Sequence, residues 1–348
     1  MKTLGVLYAA GVRTALASGS LENAMLLRTG LASLDLAPLA SAEGEPVTMS
    51  VDLAMDPFVV GEERAAAIAG AALDELAKKV GRDTARGLRT RVALAFPEPT
   101  PGQPRGDVGR ILAARLRTAL GETFGSPDVD VATRGSAGLA YVLPDALDAL
   151  KRREVDAVIA GGVHTDYDPA ALRVLEATGR LYTPESLDAV IPGEAAAFVL
   201  IGREDLGQRI GLPKLARIVS IATGTADMTP YNDESAFDAS AMSDVIERAA
   251  LGLGEDLRIG FAYGDHGIEH FRVRELYAAL ARKHDAFCEP MAIDSPSQRI
   301  GRTGAASLPL FLALLSESFR RSYAPSPVGM AFAGSDAGER AAILVSSP

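Results

Sequence analysis

"TRGSAGLAYVLPDALDALKRREVDAVIAGG", Thr133 to Gly162, reads as a short polar entry, a helix and then a buried strand. The helix opens on small residues, which allow close backbone approach at its N-terminus, and closes on the basic pair Arg152 and Arg153. Ser136 stands at the mouth of that helix, and the question is whether it is a nucleophile or the remains of one.

The same pattern returns in the second half of the chain. "TGAASLPLFLALLSESFRR" runs to Arg321, 168 positions after Arg153, and is followed by "VGMAFAG", as the first helix is followed by "DAVIAGG". Further upstream, "RVALAF" from Arg91 is matched by "RIGFAY" from Arg258, and the helix closing at Gly81 by one closing at Gly254. Four elements in one order at nearly one offset describe a duplicated half-domain rather than a solenoid. We expect an N-terminal half over 1–205 and a C-terminal half over 206–348. The charged stretch "IGREDLGQRIGLPKL", Ile201 to Leu215, forms the joint. The two small-headed helices are best buried together at the pseudo-twofold centre. "FPEPTPGQPRG" and "RRSYAPSPVG" read as surface loops, and Pro144 and Pro309 as marks of a kink or late start in their helices.

Composition sets the class. With 348 residues, 48% apolar, little aromatic content and no Trp, the chain is a globular α/β protein with a sizeable core. A net charge of −10 without a dense basic run argues against nucleic acid as the main partner. The N-terminus has no signal-peptide pattern, and "LPLFLALL" is too short to span a membrane, so a cytoplasmic location is expected. The single cysteine, Cys288 in "AFCEPMAI", excludes an internal disulfide and reads as a buried thiol on a strand.

Several stretches resemble the thiolase-fold β-ketoacyl synthases. They are "GVLYAAGVRTALASGSLENAMLLRTG", "DAVIAGG", "RLYTPESLDAVIPGEAAAFVLI" and "MAFAGSDAGERAAILV", in the family's order and across nearly the whole length. The resemblance implies a five-layered αβαβα fold of two pseudo-twofold-related halves. It also implies a homodimer, or a heterodimer with a ketosynthase-like chain.

The family's nucleophilic cysteine, activated by a helix N-terminus, falls on Ser136, after Arg134 and Gly135. Its first histidine falls on His266 in "FAYGDHG"; Asp265 takes that position if the register shifts by one. Its second histidine falls on Arg302 in "DSPSQRIGRTGAAS", and Ser297 stands near the family's lysine, with the spacing one residue short. Decarboxylative condensation needs a soft nucleophile and two histidines to stabilise an enolate, so this set of residues does not suit it.

Two readings of function follow. In the first, the chain is a pseudo-enzyme that keeps the fold and serves as a partner-binding or accessory subunit. The resemblance offers two precedents: inactive partners in ketosynthase heterodimers and, more loosely, thiolase-like accessory proteins beside type VI secretion effectors. Acyl carrier protein or a secreted effector would then be the partner. In the second, Ser136 carries out acyl transfer or thioester hydrolysis with His266 as base. Its oxyanion donors would be its own N–H and one from the loop around Ala333 and Gly334, with Arg134 and Arg302 at the pocket.

Each residue also has a plainer reading. Ser136 is a small residue tolerated at a tight turn, and His266 is a polar loop residue capping the next helix. His164, Asp166 and Asp168 in "GGVHTDYDP" alternate on a loop and rarely converge on one ion, so no metal and no cofactor is expected. "TADMTPYNDESAFDASAMSD" reads as a solvated loop whose Asp or Ser caps a helix.

Overall fold

A computed structural model describes residues 2–101, 103–232, 237–254 and 257–348. The strands are β1 (Gly5–Thr14), β2 (Asp35–Ala40), β3 (Pro46–Met49), β4 (Thr90–Phe96), β5 (Asp128–Thr133), β6 (Ala157–Thr165), β7 (Glu194–Gly202), β8 (Ala216–Thr225), β9 (Phe261–Gly264), β10 (Ile293–Asp294), β11 (Val328–Gly334) and β12 (Glu339–Ser346). The helices are α1 (Ser20–Arg28), α2 (Gly61–Val80), α3 (Arg82–Gly87), α4 (Arg110–Phe124), α5 (Leu139–Lys151), α6 (Pro169–Ala177), α7 (Leu206–Ile210), α8 (Ser240–Ala250), α9 (His270–Arg282), α10 (Ser297–Ile300) and α11 (Ser307–Arg320).

Ten strands form one sheet in the order β10-β9-β11-β12-β8-β1-β7-β6-β4-β5, while β2 and β3 pair separately. The order is a palindrome in structural terms. On one side β5, β4 and β6 run parallel, with β7 and β1 antiparallel beyond them. On the other side β10, β9 and β11 run parallel, with β12 and β8 antiparallel. The two sides meet where Gly5 to Leu7 of β1 pair with Ala216 to Ile218 of β8.

Three cores separate the layers. Helix α2 and α4 residues Ile68, Leu73, Leu76, Leu112 and Leu116 pack with β4, β6 and β7 in one outer core. Val245, Ile246, Leu276 and Leu280 of α8 and α9 form the other outer core against β8, β11 and β12. Between the halves lie α5 and α11, whose Leu143, Leu147, Leu308, Phe311, Leu312 and Leu315 share a central core with strands from both sides. This is the αβαβα order expected from the repeated helices.

Every residue of α11 from Ser307 to Ser318 is buried, which is why "LPLFLALL" is apolar all round rather than amphipathic. Burying each Leu or Phe there contributes about 1.5–3 kcal/mol, an upper range that assumes an extended unfolded chain. Two of its serines are satisfied locally: the Ser316 hydroxyl donates to Leu312 O (2.8 Å) and that of Ser318 to Leu315 O (2.7 Å). Pro309 lies in the first turn, where a missing N–H costs nothing, whereas Pro144 lies inside α5.

Glycine has a steric reason at Gly162 of β6. A Cβ there would stand 2.0 Å from Ala305 O, because the turn leading into α11 presses its backbone directly on the strand. The small residues at the helix mouth and at the strand end are two sides of one contact.

Two expectations need correction. Cys288 is half-buried and lies outside any strand; its N–H donates to Ile259 O (2.9 Å). The Pro-rich segment after β4 sends Glu98 inward, where its carboxylate accepts from the N–H groups of Asp336 (2.9 Å) and Ala337 (2.7 Å) across the two halves. Of the acidic stretch before α8, residues 233–236 lie outside the described residues; in the remainder, Asp238 accepts from Ser240 N–H (2.9 Å) at the helix start.

Candidate functional site

In an α/β sheet the ends where parallel strands finish are where backbone stops being paired and side chains can converge. Here both parallel sets finish around one cavity of about 220 Å³. Glu98 follows β4, Ser136 follows β5, and Asp166 follows β6. From the other half, Asp265 follows β9, Arg302 follows β10 and α10, and Asp336 follows β11. Val174, Leu175, Val190, Ile191 and Leu112 give the cavity an apolar wall.

Ser136 sits in a single 3-10 turn, Gly135–Ala137, immediately before α5. Gly135 has φ 56°, in the left-handed region, and a Cβ there would stand 2.6 Å from Glu98 Oε1. Glycine is therefore required twice over, by conformation and by the carboxylate packed against it. The turn is fixed from the other half, because Ala137 N–H donates to Ser335 Oγ (3.0 Å), whose own hydroxyl donates to Arg134 O.

The carboxylate that meets Ser136 is Asp265. It accepts from the Ser136 hydroxyl and from Gly334 N–H (3.1 and 3.2 Å to its two oxygens). Burial pushes it up to about 6, against the opposing pull of Arg272 and these hydrogen bonds. Of the two alternatives in "GDHG", the structure thus turns Asp265, not His266, toward the serine. Gly334 N–H, expected to serve an oxyanion, is already taken by Asp265.

His266 is buried outside this cavity, edge-on to the Tyr277 ring with centroids 6.2 Å apart. Desolvation holds it down at about 4, so it is neutral at physiological pH. Glu269, not His266, is the residue at the N-terminal end of α9. Ala333 is a fully buried β11 residue paired with Ala341 and does not line the cavity. Arg134 also turns away: its guanidinium lies over the Tyr141 ring (4.6 Å) and bonds Glu339 (3.0 Å).

Arg302 does reach the cavity. It grips Asp166 with two nitrogens, Nε to Oδ2 at 3.0 Å and Nη2 to Oδ1, and approaches Asp336 at 3.6 Å. Burial would raise Asp166, yet Arg302 and then His164 hold it well below the usual carboxylate range. His164 Nε2 lies 3.1 Å from Asp166 Oδ2. Asp168 is occupied elsewhere, accepting from Ala170 N–H (2.8 Å) as the cap of α6. Among the described residues no group of three His, Cys, Asp or Glu could hold a metal ion.

Sequence reasoning missed the centre of the charge network. Asp336 is bound by Arg180 (2.8 Å) and Arg272 (2.5 Å), and these with Arg302 hold it far below its ordinary value despite burial. Arg180 also grips Glu269 at 2.5 and 2.9 Å. Glu98 lacks such a partner: burial first, and the Asp336 charge second, push it up to about 7. The available signal was positional, since Glu98 and Asp336 each stand two residues beyond a strand, β4 and β11.

The geometry defines an α/β protein of two related halves with a charged cleft between them. Residues 64–206 match the family model for the β-ketoacyl synthase N-terminal domain. The fold matches the ishigamide ketosynthase/chain length factor, at TM-score 0.75 and 17% identity over 99% of each chain. It also matches a type II PKS acyl-carrier protein complex with its ketosynthase bound to the hexaketide, at TM-score 0.80 and 13% identity over 99% of each chain. A third match is the ketosynthase from module 6 of the bacillaene synthase of Bacillus subtilis 168, at TM-score 0.73 and 14% identity, covering 99% of this chain and 72% of that one. No curated protein matches the sequence. Residues 64–206 thus resemble the β-ketoacyl synthase N-terminal domain, and the chain as a whole has the thiolase-like fold of those ketosynthases. No helix among the described residues is long and apolar enough to cross a membrane.

Proposed function

We propose that this chain is a non-condensing ketosynthase-like subunit that acts by binding a partner, in the manner of the subunit that accompanies an active ketosynthase. The observation that carries this reading is the Arg302–Asp166 ion pair. Arg302 stands where the resemblance puts a histidine, and its charge is fully engaged with a buried carboxylate. A permanently protonated guanidinium cannot exchange a proton at neutral pH, and here its donors face a carboxylate rather than a developing enolate. The serine at the nucleophile position faces Asp265, a carboxyl that its hydroxyl helps to hold down. The likeness to a ketosynthase/chain length factor supports a ketosynthase-like partner, and the likeness to a carrier-protein complex supports acyl carrier protein as a second one. A secreted effector is the other partner class.

A second reading has one observation in its favour. Asp265, a carboxyl group raised to about 6 and hydrogen-bonded to Ser136, is placed as a general base for acyl transfer or thioester hydrolysis. It would take the role assigned to His266. Intact mass of wild type and Ser136→Ala after incubation with acyl thioesters separates the two readings. No adduct on either chain, with recovery of a ketosynthase-like protein or carrier protein on co-purification, is the expected result. An adduct on wild type alone overturns it in favour of the serine acyltransferase.

A further inference from the structure

The charged residues around the cavity do not balance. Arg180, Arg272 and Arg302 are matched by Glu269, Asp336 and Asp166. Behind them Arg340 is matched by Glu275 (2.7 Å). Glu62 and Asp168, also on the wall, accept backbone N–H groups at the starts of α4 and α6. Two carboxyls remain, Glu98 and Asp265. Each has backbone N–H donors, Asp265 has the Ser136 hydroxyl as well, and neither makes an ion pair among the described residues.

Both lie deep in the protein and both line the cavity, flanking the turn that carries Gly135 and Ser136. Neither is sealed off: each retains partial solvent accessibility, so something entering the cavity can touch them. A third group points the same way. His164 lines this cavity, is more than nine-tenths buried, and has no hydrogen bond in good geometry at either ring nitrogen, although Nε2 lies near Asp166.

We propose that this cavity binds a short aliphatic ammonium compound, its charge between Glu98 and Asp265 and its hydrocarbon against Val174, Leu175, Val190 and Ile191. Compensating a buried carboxylate with a cation is the ordinary way to hold its charge in a dry site. A metal ion does not fit, because the acceptors are too dispersed for a coordination sphere. The volume of about 220 Å³ admits a body of a few carbons. The inference does not depend on whether Ser136 reacts; it concerns reversible binding and is read by a different experiment.

The test is isothermal calorimetry on the intact wild-type chain at pH 6.5, with n-butylammonium and 1,4-diaminobutane as probes and n-butanol and butyrate as controls. Saturable binding of an amine is expected, at least tenfold tighter than either control. Proton release is expected too, seen as a heat that changes between buffers of different ionisation enthalpy. At that pH Glu98 and Asp265 are partly protonated, and a cation stabilises their ionised forms; Glu98 faces Asp336 and Arg272, and Asp265 faces Arg272, Arg340 and Ser136. Glu98→Gln and Asp265→Asn, each first confirmed folded by its thermal transition, are expected to weaken amine binding at least tenfold. No saturable heat from either amine, equal binding of butanol, or binding without proton release in wild type would each overturn the proposal. None of the three needs a variant.

Discussion

Arg302 and Asp166, 136 positions apart in sequence, form a two-point ion pair that joins the end of β6 to the segment leading into α11. It closes the cleft between the two halves at the position where the resemblance implied a histidine. One pair therefore bridges the two halves across the mouth of the cavity.

Removing Arg302 should be expensive. Arg302→Ala leaves Asp166 buried with only the Gly193 N–H (3.2 Å) and His164 beside it. A loss of about 3–5 kcal/mol is expected, because an uncompensated buried charge remains. The midpoint of urea unfolding measures it, and a loss below about 1 kcal/mol would show that the pair is not holding the halves together.

Arg64 and Glu194 form a second buried pair, Nε to Oε2 at 2.6 Å, with the guanidinium over the Tyr167 ring at 4.2 Å. Arg64→Met is expected to cost about 3–5 kcal/mol, and pairing it with Glu194→Leu should recover part of that loss. Full recovery is not expected, since Glu194 also accepts from Asp52 N–H and the Thr165 hydroxyl. A double-mutant cycle in urea reads the coupling.

Gly162→Ala tests the contact between β6 and the turn before α11. The new methyl would have to displace the Ala305 carbonyl, which is backbone and cannot rotate aside. Loss of soluble protein, or destabilisation of at least about 3 kcal/mol, is expected. Gly121→Ala, where a Cβ would meet nothing within 4 Å on a helix, is the control and should be neutral or slightly stabilising.

The pH dependence carries opposing contributions. Asp265, raised from 3.8 to about 6, and Glu98, raised from 4.5 to about 7, contribute stability when protonated and lose it as pH rises through the folded values. His266, lowered from 6.5 to about 4, contributes stability above 6.5 and loses it as pH falls toward 4. Relative to wild type, Asp265→Asn should therefore gain roughly 1.4 kcal/mol as the pH rises from 5 to 8. Unfolding free energies at those two pH values check it. A gain that shrinks with rising pH would contradict the placement of Asp265.

The fold was legible because its signals are local and repeated. The small-headed helices at Ser136 and Ala305, the strands ending in "AGG" and "FAG", and the near-constant offset of 167 to 173 together describe two halves around a buried pair of helices. Backbone contact forces those small residues, and the requirement shows directly in the sequence. Ser136 was legible for the same reason, since a helix mouth can be read from its composition.

The orientation of side chains in the cleft was not legible. "GDHG" offers an aspartate and a histidine one position apart, and successive residues past a strand end point in different directions. Only the packing of His266 against Tyr277 and of Asp265 against Gly334 and Ser136 decides which one faces the site. The inward turn of Glu98 was hidden by a Pro-rich context typical of exposed loops. Its partners, the N–H groups of Asp336 and Ala337, lie more than 230 positions away.

The sequence by itself determined the duplication, the α/β class and the small-residue helix mouth at Ser136, because periodicity and small residues act over a few residues of chain. The tertiary structure alone decided which charges pair, which carboxyls are left without a cation and which histidine is excluded. Burial and Coulomb interaction depend on distances between segments that the linear order does not contain.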